Sequence, residues 1–97
     1  MRPVDILKID VEGWELFVLQ GGRTMIARDR PTVLIEREDH NMRRAGVTDA
    51  MLDAELDVLG YRCYMMGADN QWCVHASSTR DLSVVKRFGV NVETRRG

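Results

Sequence analysis

Three carboxylates stand where two short apolar runs end. Asp10 and Glu12 follow Val4-Asp5-Ile6-Leu7-Lys8-Ile9, and Glu36 closes Pro31-Thr32-Val33-Leu34-Ile35. In an open parallel sheet, ligands bind beyond the carboxyl ends of the strands. If these runs are neighbouring strands, about 4.8 Å apart, their terminal carboxylates converge on one ligand or share one cation. Asp10 could then act as a general base, Asp10 with Glu36 or Glu38 could hold a divalent metal, and Glu12 could orient an acceptor. The competing reading is structural: Asp10 and Glu12 cap the next helix at the positive end of its dipole, with Gly13 easing the turn.

Other residues carry weaker versions of the same choice. His40, in Glu36-Arg37-Glu38-Asp39-His40, sits just past a strand end, where a proton shuttle, a metal ligand or a solvated side chain all fit. His75 reads as a partly exposed strand position. Trp14 could flank an acceptor or an adenine ring, but a tryptophan opening a crossover helix is expected to pack onto the sheet, as are Trp72, Tyr61 and Tyr64.

The elements that position these groups follow from periodicity. Val4 to Ile9 is a β-branched run with strand character, and Trp14, Phe17, Val18 and Ile26, interrupted by Gly21-Gly22, read as one broken helix or two short ones. Thr32 to Glu36 is a continuous apolar strand of the kind buried on both faces of a parallel sheet, which completes a βαβ unit. After the polar stretch Arg37–Gly46, Leu52, Leu56 and Leu59 form a helical stripe with Thr48 as N-cap, Asp49 in the first turn and Gly60 at the C′ position. Tyr61–Met66 and Gln71–Ala76 read as an antiparallel hairpin closed by the four residues Gly67 to Asn70. That register places Tyr64 opposite Cys73 and Cys63 opposite Val74, so the two thiols fall on opposite faces and no disulfide is expected. From Ser77 the sequence is polar apart from an amphipathic stretch at Leu82, Val85 and Phe88, and Glu93 to Gly97 are expected to fray.

Composition narrows the class. Ninety-seven residues make one domain, whose core spans 4–76 with a polar tail at 77–97. Fourteen basic and fifteen acidic residues leave a net charge of −1 and no basic stripe, so nucleic acid is not an expected partner. Two cysteines are too few for a disulfide framework or a zinc site, and are read as buried thiols in a reducing cytoplasm. No apolar run reaches the roughly 20 residues that span a bilayer, so no membrane anchor is expected.

The string Asp5-Ile6-Leu7-Lys8-Ile9-Asp10-Val11-Glu12-Gly13, followed by Glu15, Val18-Leu19, Gly21 and Pro31-Thr32-Val33-Leu34-Ile35-Glu36, resembles the signature of FkbM-type methyltransferases. The resemblance covers roughly residues 4–76. It implies the C-terminal half of the class I methyltransferase fold: an α/β, partial Rossmann-like sheet built as β-α-β-α and followed by an antiparallel hairpin. It also implies S-adenosylmethionine (AdoMet) as methyl donor and a small-molecule hydroxyl acceptor, on a sugar or secondary metabolite, with Asp10, Glu12 and Glu36 at the chemistry. A magnesium site at these strand ends, as in catechol-type enzymes, is a weaker implication.

The glycine-rich cofactor turn and the ribose-binding acid of that family have no counterpart in these 97 residues, and Gly21-Gly22, lying in or after the crossover helix, is no substitute. The chain is therefore expected to be a fragment that binds AdoMet weakly or not at all. Its first strand, lacking a neighbour, offers free N–H and C=O groups to the missing N-terminal half or to a second copy. A non-catalytic module that pairs through that strand is the alternative, and a nucleotide-binding half-domain finds no GxGxxG or P-loop to support it.

Overall fold

The apolar run ahead of Asp10 forms β1 (Ile6–Ile9), and the run behind Pro31 forms β2 (Thr32–Glu36). They pair in parallel, with Ile9 opposite Ile35, so Asp10 and Glu36 emerge side by side at the same end. The computed structural model describes residues 2–77 and the backbone of 92–94. Between β1 and β2 lie two short helices, α1 (Glu15–Gly21) and α2 (Arg23–Asp29), hinged at Gly22. Glycine there interrupts the helix because it gains least from helical backbone and has no side chain to pack.

After β2 comes α3 (Asp39–Arg44), a helix within the polar stretch Arg37–Gly46, for which the sequence offered no element. Only Met42 of its six residues is buried, so its apolar pattern is too sparse to read by periodicity. Its start is nonetheless well made: Glu38 is the N-cap and its carboxylate accepts the N–H groups of His40 and Asn41. Those two bonds hold the Glu38 carboxyl below its usual range, the His40 N–H contributing most. Next, α4 (Asp49–Val58) is the expected leucine-striped helix, with Thr48 accepting the Met51 N–H and Gly60 at φ +84° just beyond its end.

The chain then forms a hairpin from β3 (Tyr61–Met66) and β4 (Asn70–His75), and Val92–Thr94 adds a short β5 antiparallel to β3. The strand order is β1-β2-β4-β3-β5, with β4 inserted antiparallel between β2 and β3. The sheet is mixed, and β1 lies at its edge. Val92–Thr94 includes two residues expected to fray, whereas the amphipathic stretch at Leu82, Val85 and Phe88 lies outside the described residues.

Ile9, Val33, Ile35, Tyr61, Cys63 and Cys73 project from one face of the sheet and pack against Leu16 and Leu19 of α1, Ile26 of α2, Met42 of α3, and Leu52 and Leu56 of α4. Every helix thus contributes to a core on a single face. The opposite face carries Lys8, Leu34, Trp72 and Tyr64 in one row, all exposed or half-buried. The second strand is consequently less enclosed than its apolar sequence suggests. Ion pairs tie the helical layer down: Arg23 of α2 grips the buried Glu55 of α4 through two bonds of 2.7 and 2.6 Å, and the buried Arg37 reaches Asp49 and Asp53.

The hairpin corrects two expectations. Met66 pairs with Asn70, not Gln71, so the loop is three residues long, with Gly67 at φ +74° supplying the left-handed turn position. Removing one loop residue shifts the register by one and moves each side chain on one strand to the other face relative to its partner. Cys63 therefore lies directly opposite Cys73, and the two form a disulfide. The reading of both as free thiols does not hold.

Candidate functional site

The turn leaving β1 has an unusual backbone. Glu12 adopts φ +56° and Gly13 φ +101°, successive left-handed residues that reverse the chain into α1. Gly13 is buried so closely against α3 that a Cβ would stand 2.2 Å from the Asn41 carbonyl oxygen, a separation no side chain can occupy. Only glycine meets both demands.

Glu15 fixes this turn. Its side chain is 1% exposed, and its carboxylate accepts the N–H of Val11 at 2.9 Å and of Gly13 at 3.0 Å. The capping role offered to Asp10 and Glu12 is thereby filled by another residue: α1 begins at Trp14 with no side-chain cap, and the backbone donors of the turn are satisfied by Glu15. No capping-box spacing advertises this in the sequence; Glu15 appears there only as one letter of the family signature.

Released from capping, Asp10 meets Glu36. Their carboxyl groups lie within interacting distance of each other across the ends of β1 and β2. Burial pushes the Glu36 carboxyl above its ordinary range, the neighbouring Asp10 charge pushes it further, and Glu15 and Glu12 add smaller effects in the same direction. The pair borders a cleft of about 200 Å³ whose walls include Lys8, Leu34, Met66 and Asn70. An exposed carboxyl group backed by a half-buried one whose pKa is raised, beside apolar walls, is placed to accept a proton from a bound hydroxyl.

Glu12 does not join this cleft. It lines a separate hollow of about 300 Å³ with Trp14, Asn41, Arg44 and Ala45, between the turn and α3. Trp14, expected to pack onto the sheet, is instead 58% exposed and lies 5.0 Å from the ring of Phe17. Lys8, Asn41, Arg44 and Asn70 carried no signal in the sequence, because each owes its place to tertiary packing of separate elements.

The metal reading finds no ligand set. Among the described residues no group of three His, Cys, Asp or Glu side chains is arranged to hold an ion, and both Glu38 oxygens are engaged by backbone N–H groups. His40 is exposed in the first turn of α3, away from both hollows' linings. His75 packs edge-on against Tyr61, its pKa lowered by burial and then by Arg30, as befits a structural residue. Gly21 and Gly22 border neither hollow. No described helix is long and apolar enough to cross a membrane.

A family model described as the methyltransferase FkbM domain matches residues 1–63 of the 97. No curated protein and no solved structure matches the chain. The matched span contains both parallel strands, the Glu15-anchored turn and the Asp10–Glu36 pair, and on that span the chain belongs to the FkbM methyltransferase family.

Proposed function

We propose that the chain is the acceptor-side part of an AdoMet-dependent O-methyltransferase, with Asp10 as the base. The observation that supports this most is the Asp10–Glu36 carboxyl pair at the adjacent ends of two parallel strands, on an open cleft. The strand order, with an antiparallel strand inserted beside β2, supports reading the sheet as the C-terminal half of the class I methyltransferase fold.

AdoMet supplies an electrophilic methyl group on a positively charged sulfur. The Asp10 carboxyl at the cleft suits the donor's cationic end, whereas no glycine-rich turn for the nucleoside is present in the sequence. Lys8 and Asn70 flank the acceptor, and the apolar walls at Leu34 and Met66 limit water beside it. Asp10 would take the hydroxyl proton of the acceptor as its oxygen receives the methyl group that AdoMet, once bound, would supply. Glu36, its pKa raised by burial and by the Asp10 charge, backs Asp10 at the strand ends and keeps it in place.

The test is transfer of a carbon-13 methyl group from AdoMet, at millimolar concentration, to polyhydroxylated acceptors, with the product read by NMR. An O-methyl product is expected, reduced about 100-fold or more in Asp10→Asn, within the range general-base catalysis contributes. Methylation on nitrogen, or an Asp10→Asn protein as active as its parent, would remove the reading.

A second reading rests on β1 lying at the sheet edge with Ile6 58% exposed: the strand accepts a further strand from a second copy or another polypeptide. Sedimentation equilibrium would show a concentration-dependent dimer abolished by Lys8→Pro, which places a residue without an N–H in that edge.

A further inference from the structure

We propose that residues 78–91 cross the face of the sheet opposite the helices and seat Leu82, Val85 and Phe88 on Leu34, Trp72 and Val74. This stretch links β4 to β5 and lies outside the described residues. Packing of this kind is independent of any chemistry at the Asp10–Glu36 cleft.

The path follows from topology. β1, β2 and β3 run in one direction, since β1 pairs in parallel with β2, and β2 and β3 are both antiparallel to β4. β4 and β5, both antiparallel to β3, run in the other. Connections between parallel strands of one sheet are almost always right-handed. The steps from β1 to β2 and from β2 to β3 go the same way across the order β1-β2-β4-β3-β5, and their helices lie together on the core face, as a common hand requires. The step from β4 to β5 goes that same way, but between strands of reversed direction. A right-handed connection must then pass over the opposite face. The distance is within reach. Val92 and Asn70 both stand opposite Met66, so the chain returns along the length of β4, about 17 Å, and moves two strand spacings sideways, about 10 Å. Such a connection needs about a dozen residues or more, and 76–91 supplies sixteen.

The face itself is already covered along β4. Thr32 and Val74 stand opposite each other one step beyond the Val33–Cys73 pair, on the side away from the core, yet they are 2% and 6% exposed. The neighbouring Trp72 has its indole nitrogen buried. No described helix lies over them, because all four described helices pack on the other face. Burial falls off toward β1, where Ile6 is 58% exposed, and so centres on the strand from which 78–91 departs.

The sequence suits the place. Leu82, Val85 and Phe88 recur every third residue and fall on one side of a helix, with Arg80, Ser83 and Arg87 on the other. Thr79 ahead of the stretch and Gly89 behind it are residues that start and stop such a helix, and Lys86 and Arg87 suit its last turn. Laid across the sheet, the apolar side closes this face to a second copy and leaves the β1 edge as the surface for an added strand.

Nuclear Overhauser contacts in the carbon-13-labelled 97-residue chain test this. Contacts are expected from the Val85 methyls and the Phe88 ring to the Trp72 indole and the Val74 methyls. Phe88→Ala should shift the Trp72 indole N–H signal, leave that of Trp14 unmoved, and lower the melting temperature by about 10 °C or more, as loss of a buried phenylalanine does in a chain of this size. Arg87→Ala, on the outward side, should change it by less than about 3 °C. Should Phe88→Ala not fold, the contacts in the parent chain decide alone. Phe88 touching Leu16 or Ile26 on the core face, or making no contact with the sheet, would overturn the proposal. Contacts that arise only between labelled and unlabelled copies in a mixed sample would overturn it as well, since a second copy would then be the occupant.

Discussion

Replacing Gly13 by alanine is the sharpest test of how the site is built. Two costs arise together. Alanine at φ +101° is strained, by about 1–2 kcal/mol for a left-handed position, and its Cβ would stand 2.2 Å from the Asn41 oxygen and 2.5 Å from its carbonyl carbon. Both contacts are backbone, so relief requires α3 to move off the turn, at an overpacking cost near or above the usual ~1–3 kcal/mol. The sum, about 3–5 kcal/mol, is a large share of the ~5–15 kcal/mol that holds a domain of this size together. Two other glycines separate the terms. Gly46 has φ +75° with nothing within 4 Å, so Gly46→Ala measures backbone strain alone; Gly21 has neither strain nor neighbours, and Gly21→Ala in the last turn of α1 should be neutral or stabilise by about 0.5 kcal/mol. Thermal melts followed by circular dichroism, with urea unfolding for the free energies, should rank the variants Gly21→Ala, wild type, Gly46→Ala, Gly13→Ala, with the last lowered by about 12 °C or more. A Gly13→Ala protein no less stable than Gly46→Ala would mean that the turn does not pack on α3, and the hollow built from both would lose its basis.

Three further outcomes follow from the same geometry. Glu15→Ala leaves the N–H groups of Val11 and Gly13 without their acceptor and should cost about 2–4 kcal/mol in urea unfolding, whereas Glu15→Gln, which keeps one acceptor oxygen, should cost distinctly less. Because folding raises the Glu36 pKa, the folded state holds a proton that the unfolded chain releases, so this group's contribution to stability is lost as pH rises above the ordinary glutamate value of 4.5. Glu36→Gln should therefore gain on the wild type as pH increases through that window and converge with it in more acidic solution; a difference independent of pH would refute the raised Glu36 pKa. The disulfide between Cys63 and Cys73 closes a short loop, with a sequence separation of 10, and its reduction should lower stability by about 2–3 kcal/mol without altering secondary structure, as seen by denaturant melts with and without dithiothreitol.

How much of this was legible beforehand depends on whether the signal is local. The two parallel strands, the broken crossover helix and α4 with its Thr48 cap follow from patterns within a few residues, and the structure bears them out. The convergence of Asp10 and Glu36 also follows once two strands are assumed to be parallel neighbours, since their register fixes which residues emerge together. What sequence could not show is where one residue decides between alternatives of nearly equal merit. Gly67-Ala68-Asp69-Asn70 permits a three- or a four-residue loop, and only the pairing of Met66 with Asn70 selects the register that joins the cysteines. Similarly, α3 has a single buried residue, so nothing periodic marks it, and Trp14 looks like a core residue because exposure is a property of the assembled layers.

The acidic residues of the turn show why one motif supports several readings at once. Asp10, Glu12 and Glu15 lie within six positions, and a helix start beside them makes capping the economical explanation for all three. Backbone geometry divides the work. Residues in successive left-handed conformations send the side chains at 10 and 12 to different hollows, and the same reversal brings two turn N–H groups onto Glu15. Glu15 is thus spent on structure, and burying its charge is tolerable because both oxygens are engaged. That frees Asp10 to face Glu36, whose pKa is raised by burial and by the Asp10 charge, and leaves Glu12 lining the hollow with Trp14 and Arg44. Gly13 is the residue that permits the arrangement, since any side chain there would separate the turn from α3 and dissolve the division of roles. In the Asp-Val-Glu-Gly-Trp-Glu string, one structural acid, Glu15, and one glycine thus hold two other acids apart, each opening on a different hollow.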